Sequence, residues 1–406
     1  MKTKVYHLYC STIILFSSIL LLILFVILPG CVDAPNPVGA EILPEADLLL
    51  LKQDTLYATS HETRFFFSNN SSLDKFCVGK YQSYETWGLL GFFGLPDSLT
   101  NVRVLSTSIR LKASYHFGDS ASNLSFRAYR MVTSWLGDSL TLDSLINFQG
   151  NYYDATPLQL SYSGSLGDTD YVTIDIPDTA MVRQWLATVN DSTQYNYGLL
   201  LEPTNSSVIM GFASYYTLDT TAMPTLTIEY EKDGEVQTYV HYYSLSRFLS
   251  SPTPTSATFS SIIKDSSQFF YAQNGIPYRG VLTFDVSSIP NPSNINSGFL
   301  YLTLEPTRSL SNNYMHDSVM VTQLNSDGTL SYPWISVSSV TTDSLGNHVY
   351  KIDLKTGIAY WIRNYYPAQI VIFGYGESST FDRFAFYGSQ ASINLRPRLE
   401  ILYSTR

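Results

Sequence analysis

The chain has few cysteines. Only Cys10, Cys31 and Cys77 occur in 406 residues. Cys10 lies inside an apolar leader and Cys31 follows that leader, so a single thiol is left for the folded body. This number excludes the dense disulfide framework of small secreted domains. Cys77 has no sequence neighbour that would act as an activating base, and we interpret it as a small buried hydrophobic residue.

Charged side chains are also scarce. They make up 14% of the residues, and the formal net charge is −10. Removal of residues 1–30 would take away Lys2 and Lys4, which changes −10 to −12 on the mature chain. No basic run offsets this negative charge, so nucleic-acid binding through the phosphate backbone is not expected.

Sequence motifs for catalysis and for zinc are missing. The six histidines are scattered, without a His-Glu-x-x-His pattern or paired cysteines, and neither a nucleophile elbow nor a P-loop occurs. Tyr115 beside His116, or His316 beside Asp317, could serve a polysaccharide lyase as base and acid. Polar loop residues explain these histidines better, so we predict a protein without catalytic residues.

One segment resembles the start of a calcium loop in composition. It is Asn325–Thr329, and the chain lacks the glutamate that an EF-hand loop needs further on. A hairpin turn is the favoured interpretation. No cofactor is predicted, although structural calcium on scattered loop aspartates stays open.

Long apolar runs are confined to the N-terminus. No charged side chain occurs from Leu8 to Val32, and the run ends in Leu28-Pro29-Gly30-Cys31. This ending resembles the lipobox of bacterial lipoproteins, although Pro29 departs from its usual residue. The resemblance implies cleavage before Cys31 and a lipid on its thiol. The alternative is an uncleaved membrane-spanning anchor.

Two strands far apart in the chain share one pattern. Pro224–Tyr230 and Pro397–Tyr403 both read Pro-x-Leu-x-Ile-x-Tyr. Apolar residues at every second place put one row of side chains on a buried face. Each twin is therefore predicted to close a β unit.

A short helix is predicted before each twin. Val182, Trp185, Leu186 and Val189 are spaced i, i+3, i+4 and i+7, and the same spacing recurs in the second copy at Ile358, Trp361, Ile362 and Tyr365. Asp178 and Thr356 are the predicted N-caps, and both tryptophans are predicted core residues. The repeated order of strand, helix and closing strand indicates two homologous domains in tandem.

These observations divide the chain into four parts. Residues 1–30 are the signal peptide, 31–52 the lipidated cysteine and a spacer, and 53–232 and 233–406 the two domains. Asp54–Thr59 is interpreted as the opening strand of the first domain, whereas no opening strand is evident for the second. The run from Ser250 to Ser256 is interpreted as a linker.

The second copy carries the most specific resemblance. It reads Arg-x-Val-Leu-x-Phe-Asp-Val-Ser-Ser-Ile-Pro from Arg279, and later Arg-Pro-Arg-Leu-Glu-Ile from Arg396. Together with the Trp-bearing helix between them, these motifs resemble the DNRLRE domain. The resemblance implies an all-β fold of two tandem antiparallel β-sandwiches of jelly-roll type, each with one short helix. It also implies likeness to carbohydrate-binding modules.

Adjacent aromatic residues are the most informative side chains for ligand binding. Tyrosine pairs occur at 152–153, 215–216, 242–243 and 365–366. Neighbours on a strand point to opposite faces, so one ring of each pair is expected near solvent, where tyrosine can stack on sugar rings. Ordinary surface or domain packing is the alternative. In the second unit we predict ligand contacts for Tyr365, Tyr366, Arg363, Arg383, Arg396 and Arg398.

The sequence therefore predicts a non-catalytic lipoprotein of the cell envelope that binds extracellular polysaccharide. It would be exported and held at the outer membrane or cell surface through acylated Cys31. A structural or adhesive protein that docks other envelope proteins is the main alternative. A polysaccharide lyase is the third and least favoured reading.

Overall fold

The computed structural model describes residues 50–66, 74–82, 84–119, 121–137, 140–204, 206–252, 267–276, 278–310, 318–364 and 368–405. They form a mainly β protein with two antiparallel sheet bodies and a few short helices. The predicted signal peptide, Cys31 and spacer lie outside these residues. Residues 51–405 cluster as one unit.

The first body is an open, curled sheet of eleven strands. They are β2 (Lys75–Tyr81), β3 (Tyr84–Phe92), β4 (Arg103–Gly118), β5 (Leu124–Arg130), β6 (Ser161–Gly164), β7 (Tyr171–Asp175), β8 (Leu199–Pro203), β9 (Val208–Ala213), β10 (Thr225–Lys232), β11 (Glu235–His241) and β12 (Ser244–Pro252). The main order is β11-β10-β4-β9-β2-β3-β8-β5-β6, with β12 paired to β3 and β7 paired to β4.

The second body has ten strands, eight of which close into a ring. They are β1 (Leu50–Phe65), β13 (Phe269–Gln273), β14 (Tyr278–Phe284), β15 (Asn294–Thr303), β16 (Ser318–Leu324), β17 (Leu330–Thr342), β18 (His348–Asp353), β19 (Ala368–Gly374), β20 (Arg383–Tyr387) and β21 (Arg398–Thr405). The ring runs β1-β21-β15-β18-β17-β16-β19-β14 and closes where β14 pairs with β1.

Four α-helices lie among the described residues: α1 (Leu142–Asn147), α2 (Gln149–Tyr152), α3 (Thr179–Ala187) and α4 (Lys355–Asn364). Single 3₁₀ turns occur at Asp97–Leu99 and Thr220–Ala222. The first body thus has three helices where one was predicted. Thr141 caps α1 by accepting a hydrogen bond from the Ser144 backbone N–H at 3.2 Å. So short a segment gives no clear helical periodicity in sequence.

The twin strands and both tryptophans were predicted correctly. Leu226 and Ile228 of β10 are buried in the core of the first body, and Leu399 and Ile401 of β21 are buried in a separate core of the second. The tryptophans of α3 and α4 are fully buried in the same two cores. Each closing strand therefore turns one row of alternate side chains inward, as its pattern requires.

The predicted helix ends were only partly right. The carboxylate of Asp178 caps α3 by accepting from the Met181 N–H at 3.1 Å. The second predicted cap was wrong, because Thr356 lies inside α4 and Asp353 accepts from the Lys355 N–H at 2.9 Å instead. Val189 was also misplaced, since it follows the end of α3 and is exposed.

The two bodies exchange their opening strands. β1, predicted to open the first domain, pairs instead with β14 and β21 of the second body. Reciprocally, β12 lies within the predicted second domain, residues 233–406, but pairs with β3 of the first body. The pairing runs along the whole of β3, from Ser244 opposite Phe92 to Pro252 opposite Tyr84. Sheet membership therefore does not follow the boundary drawn between residues 232 and 233. The predicted linker at Ser250 was also wrong at its start, because residues 250–252 end β12.

Local patterns could not reveal this exchange. Alternating side chains identify a strand and its buried face, but they carry little information about which edge it joins. β3 and β14 are counterparts, because each pairs with the strand just before it and with β8 or β19, respectively. The edges of β3 and β14 are therefore similar, and either could pair with β1 or with β12. Each of these two strands pairs with the edge in the other half of the chain.

A buried aromatic residue joins the two bodies. Phe381, from the loop before β20, belongs to the core of the first body. Its ring centroid lies 5.7 Å from that of Phe248 and 6.0 Å from that of Phe117. Its backbone N–H donates to the Tyr115 hydroxyl at 2.9 Å. Phe381 thereby fills space that the first body alone would leave empty.

Polar groups at this junction are also paired. The Tyr84 hydroxyl donates to Gln273 Oε1 at 2.7 Å, and Gln273 Nε2 donates to the Phe381 carbonyl at 2.9 Å. Both side chains are fully buried. Since buried polar groups cost free energy unless they are hydrogen-bonded, these contacts fix one relative placement of the two sheets.

We expect Phe381→Ala to lower the free energy of unfolding by about 3–5 kcal/mol, because it removes a buried ring and leaves a cavity. Chemical denaturation followed by circular dichroism would measure the loss. Leu345→Ala, at an exposed turn, is the matched control and should change stability by no more than about 0.5 kcal/mol. Equal small effects of the two substitutions would contradict this role of Phe381.

Candidate functional site

Two of the four tyrosine pairs come together at one end of the first body. The rings of Tyr215 and Tyr216 pack edge to face with centroids 5.7 Å apart, and those of Tyr215 and Tyr243 do so at 5.1 Å. With Tyr242 they form what we name the tyrosine surface. The exposed fractions are 45% for Tyr216, 55% for Tyr242 and 44% for Tyr243, so three rings are open to solvent.

The first pair is presented by a tight turn after β9. The Ser214 backbone N–H donates to the Asp74 carbonyl at 2.9 Å, which ends the strand. The Ser214 hydroxyl then accepts from the Tyr216 N–H at 3.0 Å. Such side-chain to backbone bonds favour turns over continued strand. The chain therefore leaves the sheet here and turns both rings away from the core.

The second pair is the two-residue link between β11 and β12. His241, the last residue of β11, is hydrogen-bonded through Nε2 to the Phe93 carbonyl at 2.8 Å. Ser244 then starts β12 opposite Phe92. The link is thus held at both ends next to β3. Tyr243 contacts Tyr215 because β12 pairs with this edge of β3, and Tyr242 lies next to it in the chain.

The tyrosine surface has no charged side chain of its own. Each ring offers a flat apolar face and one hydroxyl that can donate and accept. No hydrogen bond of these four hydroxyls is seen within the described residues. Adjacent exposed rings of this kind suit stacking against the apolar faces of sugar rings.

The other two pairs have different outcomes. Tyr153 is buried and packs edge to face on Tyr129 at 4.9 Å and on Trp87 at 6.3 Å, with Tyr152 half-buried at the same cluster. For this pair the packing alternative is correct. Tyr365 and Tyr366 lie outside the described residues, so their ligand role stays a prediction.

Two of the four arginines that were predicted to contact a ligand are hydrogen-bonded to backbone carbonyls of the protein itself. Arg383 is buried at the junction of the two bodies, where Nε donates to the Arg308 carbonyl at 3.1 Å and a terminal nitrogen lies 3.5 Å from the Tyr84 hydroxyl. Arg396 donates to the Ala391 carbonyl at 2.6 Å. These contacts give both guanidinium groups structural partners.

The remaining two arginines are nearer the surface. Arg398 donates to Glu400 at 3.0 Å, and its guanidinium carbon lies 4.5 Å from the ring centroid of Tyr301. Arg363 is exposed in the last turn of α4. The four arginines thus have separate surroundings, and their predicted contact with an acidic glycan stays a prediction.

The Tyr115–His116 pair does not form an open catalytic site. Tyr115 is buried at the junction, and burial raises the pKa of its hydroxyl well above the usual range. His116 Nδ1 lies 2.5 Å from Asp168 Oδ1. A substrate would not reach the Tyr115 hydroxyl without opening the contact with Phe381. His316 lies outside the described residues.

The remaining candidates are structural where the structure describes them. Asn325–Thr329 is the hairpin turn between β16 and β17, with the Asp327 carboxylate accepting from the Thr329 N–H at 2.9 Å. Cys77 is fully buried, and burial raises the pKa of its thiol to about 12. Both hairpin and thiol thus match their predicted roles. In the described ranges no group of three or more acidic, histidine or cysteine side chains is placed to hold a metal ion.

Comparisons with known proteins leave the family open. No family model matches the chain, and no curated protein matches it. Among solved structures, one similar chain is a presumed secreted protein of Parabacteroides distasonis, with 8% identity, a TM-score of 0.16, and coverage of 89% of this chain and 90% of that one. A second is a protein of infectious bursal disease virus strain Gt, with 12% identity, a TM-score of 0.12, and coverage of 89% and 77%. TM-scores this low do not establish a common fold.

The sequence signal for the tyrosine surface was the repeated adjacency of tyrosines. What it lacked was any sign that residues 215–216 and 242–243 meet, because their meeting depends on the partner of β12. Among the described helices, none is long and apolar enough to span a membrane.

Proposed function

We propose that this chain is a lipid-anchored envelope protein that binds extracellular polysaccharide, without cleaving it, at the tyrosine surface. The observation that carries the proposal is the convergence of Tyr215–Tyr216 with Tyr242–Tyr243. Three exposed rings on held turns offer a preformed stacking platform, which lowers the entropy cost of binding. We also propose that the two sheet bodies are jelly-roll sandwiches of the DNRLRE type.

Charge favours a neutral polysaccharide. The tyrosine surface contributes no cation, and the chain carries a formal net charge of −10. A polyanionic chain would be repelled over distances of about 10 Å at moderate salt. Stacking and hydroxyl contacts act equally on uncharged sugars, so neutral glycans are the expected ligands.

We expect simultaneous Tyr216→Ala, Tyr242→Ala and Tyr243→Ala to weaken polysaccharide binding at least about tenfold, because each lost ring contact contributes about 0.5–1.5 kcal/mol. Affinity gel electrophoresis over neutral glucans, xylans and mannans, with alginate and pectin for comparison, would measure binding. The double variant Tyr360→Ala with Tyr375→Ala, exposed tyrosines of the second body, is the matched control. The proposal would be contradicted if no polysaccharide retarded the unaltered protein. It would also be contradicted if the triple variant were retarded as strongly as the unaltered protein.

Two other functions make different predictions in the same assays. An adhesive protein would retain a stoichiometric envelope protein from detergent extracts while showing no retardation by any glycan. A lyase would produce unsaturated ends with rising ultraviolet absorbance during incubation with a polysaccharide. The buried position of Tyr115 is an argument against the second of these.

The evidence for a lipid anchor is the lipobox-like run Leu28-Pro29-Gly30-Cys31. A multiply acylated cysteine holds a protein at a membrane because each buried CH₂ contributes about 0.8 kcal/mol. We expect Cys31→Ser to abolish incorporation of labelled fatty acid and to prevent the normal cleavage before this residue. Cys77→Ser, at the buried thiol, is the matched control and should keep the label. Labelling that persists in Cys31→Ser would contradict lipidation at this residue.

A further inference from the structure

The first body has an open edge at β11. This strand lies at the end of the sheet and pairs with β10 alone among the described residues. No further backbone hydrogen bond of residues 235–241 is seen in that part of the chain. The outward N–H and C=O groups of β11 therefore form a row without partners, and such a row can pair with a strand of another chain.

This edge lacks the features that usually protect an exposed strand. Proteins block edge pairing with short strands, lysine, proline or bulges. β11 spans seven residues and contains no lysine, proline or glycine. Its register with β10 has no bulge. By contrast, β6 at the other end of the main strand order is only four residues long.

The side chains of β11 are also open to solvent. The four consecutive residues Glu235–Thr238 are exposed. Successive side chains on a strand point to opposite faces, so neither face is covered in this half of β11. Val236 is 66% exposed and Val240 is 36% exposed. Both share one face with Thr238, because the three positions alternate along the strand. Two apolar side chains thus lie in solvent beside an open edge.

The sequence of β11 is complementary to itself about Thr238. In an antiparallel pair of two copies related by a twofold axis, Thr238 would lie opposite Thr238 and Val236 opposite Val240. On the other face, Gln237 would lie opposite Tyr239. Threonine opposite threonine is among the cross-strand pairs that stabilise antiparallel sheets. In this register each apolar valine therefore meets another valine rather than a charged side chain.

Charge does not oppose this pairing. Apart from His241, Glu235 is the one ionisable acid or base of β11 with a charge at neutral pH. In the same register Glu235 would lie opposite His241 of the other copy, so no two carboxylates face each other. On β10, Glu229 is the neighbour of Thr238 and already accepts a hydrogen bond from the Ser106 hydroxyl at 2.6 Å. Like charges are therefore not forced together at the edge.

We propose that two copies of this chain pair antiparallel through β11, with Thr238 on the twofold axis. A second copy fits this edge better than an unrelated strand does, because the order of side chains matches itself in this register. The contact involves one short strand from each copy, so we expect a reversible dimer. The dimer does not rest on polysaccharide binding at the tyrosine surface.

Dimerisation would bring two tyrosine surfaces into one assembly. Tyr242 directly follows β11 and is four residues from Thr238, so the two copies of Tyr242 would be about 27 Å apart along the strand direction. One long polysaccharide could then contact both surfaces, which raises its apparent affinity without any new contact. This consequence, unlike the dimer, rests on the proposed function.

The first test is disulfide formation between copies of the full chain with Cys10 and Cys31 replaced by Ser, followed by non-reducing electrophoresis. Thr238→Cys would lie opposite itself with about 4.5–5.5 Å between Cα atoms, and should cross-link into a dimer. Val236→Cys is the matched control and should stay monomeric, because its two copies would be more than about 13 Å apart. Val236→Cys combined with Val240→Cys should cross-link, since these positions lie opposite each other.

The second test needs no added cysteine. Analytical ultracentrifugation of the unaltered full chain in detergent should show a monomer–dimer equilibrium. Thr238→Lys should lower the association constant about fivefold or more, because it places two like charges directly opposite each other. Thr173→Lys is the matched control and should leave association unchanged, since it lies at an exposed position of β7, which pairs with β4.

Three outcomes would overturn the dimer. One is a monomer alone in the ultracentrifuge. Another is no cross-link of Thr238→Cys while circular dichroism shows this variant folded, which would mean that β11 stays open or pairs with a different segment or protein. The third is cross-linking of Val236→Cys as efficient as that of Thr238→Cys, which would indicate random collision or a different register. A dimer that binds no polysaccharide would confirm the pairing and contradict the proposed function alone.

Discussion

The pairing of β1 with β14, matched by the pairing of β12 with β3, is the constraint on which the rest of the structure depends. An unpaired strand edge leaves a row of backbone donors and acceptors without partners, which invites association with other chains. β1 covers the exposed edges of both β14 and β21, and so closes the ring of the second body. β12 covers β3 along nine residue pairs in the first body. Each half of the chain therefore completes the sheet of the other.

The exchange explains why the two bodies share a buried junction. A chain that crosses between sheets twice holds them together, so side chains at their contact can be as well packed as a domain core. Phe381 contributes to the first core from the second half of the chain, and Gln273 hydrogen-bonds across to Tyr84. Such a junction differs from the more polar contact of two domains joined only by a linker.

The exchange also creates the tyrosine surface. In the second body β1 is one long strand, with an irregularity between Ala58 and Ser60, that passes from β21 to β14. In the first body the same path is covered by two strands, β11 on β10 and β12 on β3. Tyr242 and Tyr243 lie at the break between them. In the second body a single strand, β1, therefore passes from one sheet edge to the next. In the first body an exposed turn with two tyrosines lies at the corresponding position.

Much of the local structure was predictable from sequence, but strand partners were not. The Pro-x-Leu-x-Ile-x-Tyr twins, the buried Trp185 and Trp361 and the Asp178 cap followed from periodicity and capping chemistry, because those signals lie within a few residues. Partner choice for β1 depends on two similar edges, β3 and β14, whose corresponding residues Gly91 and Thr283 are 192 positions apart in the chain. The contact between Tyr215 and Tyr243 was likewise invisible in the sequence, since it depends on the strand with which β12 pairs.

The most direct test of the exchange is a cross-strand disulfide in the full chain, with Cys10 and Cys31 replaced by Ser. Ser60 on β1 is opposite Thr283 on β14, and antiparallel partners lie about 4.5–5.5 Å apart between Cα atoms, within reach of a disulfide. The residue of β3 that corresponds to Thr283 of β14 is Gly91. Gly91 pairs with Leu245 of β12. The buried Cys77 thiol, with its raised pKa, should not compete. We predict that Ser60→Cys cross-links with Thr283→Cys and not with Gly91→Cys; cross-linking to Gly91→Cys alone would contradict the exchange.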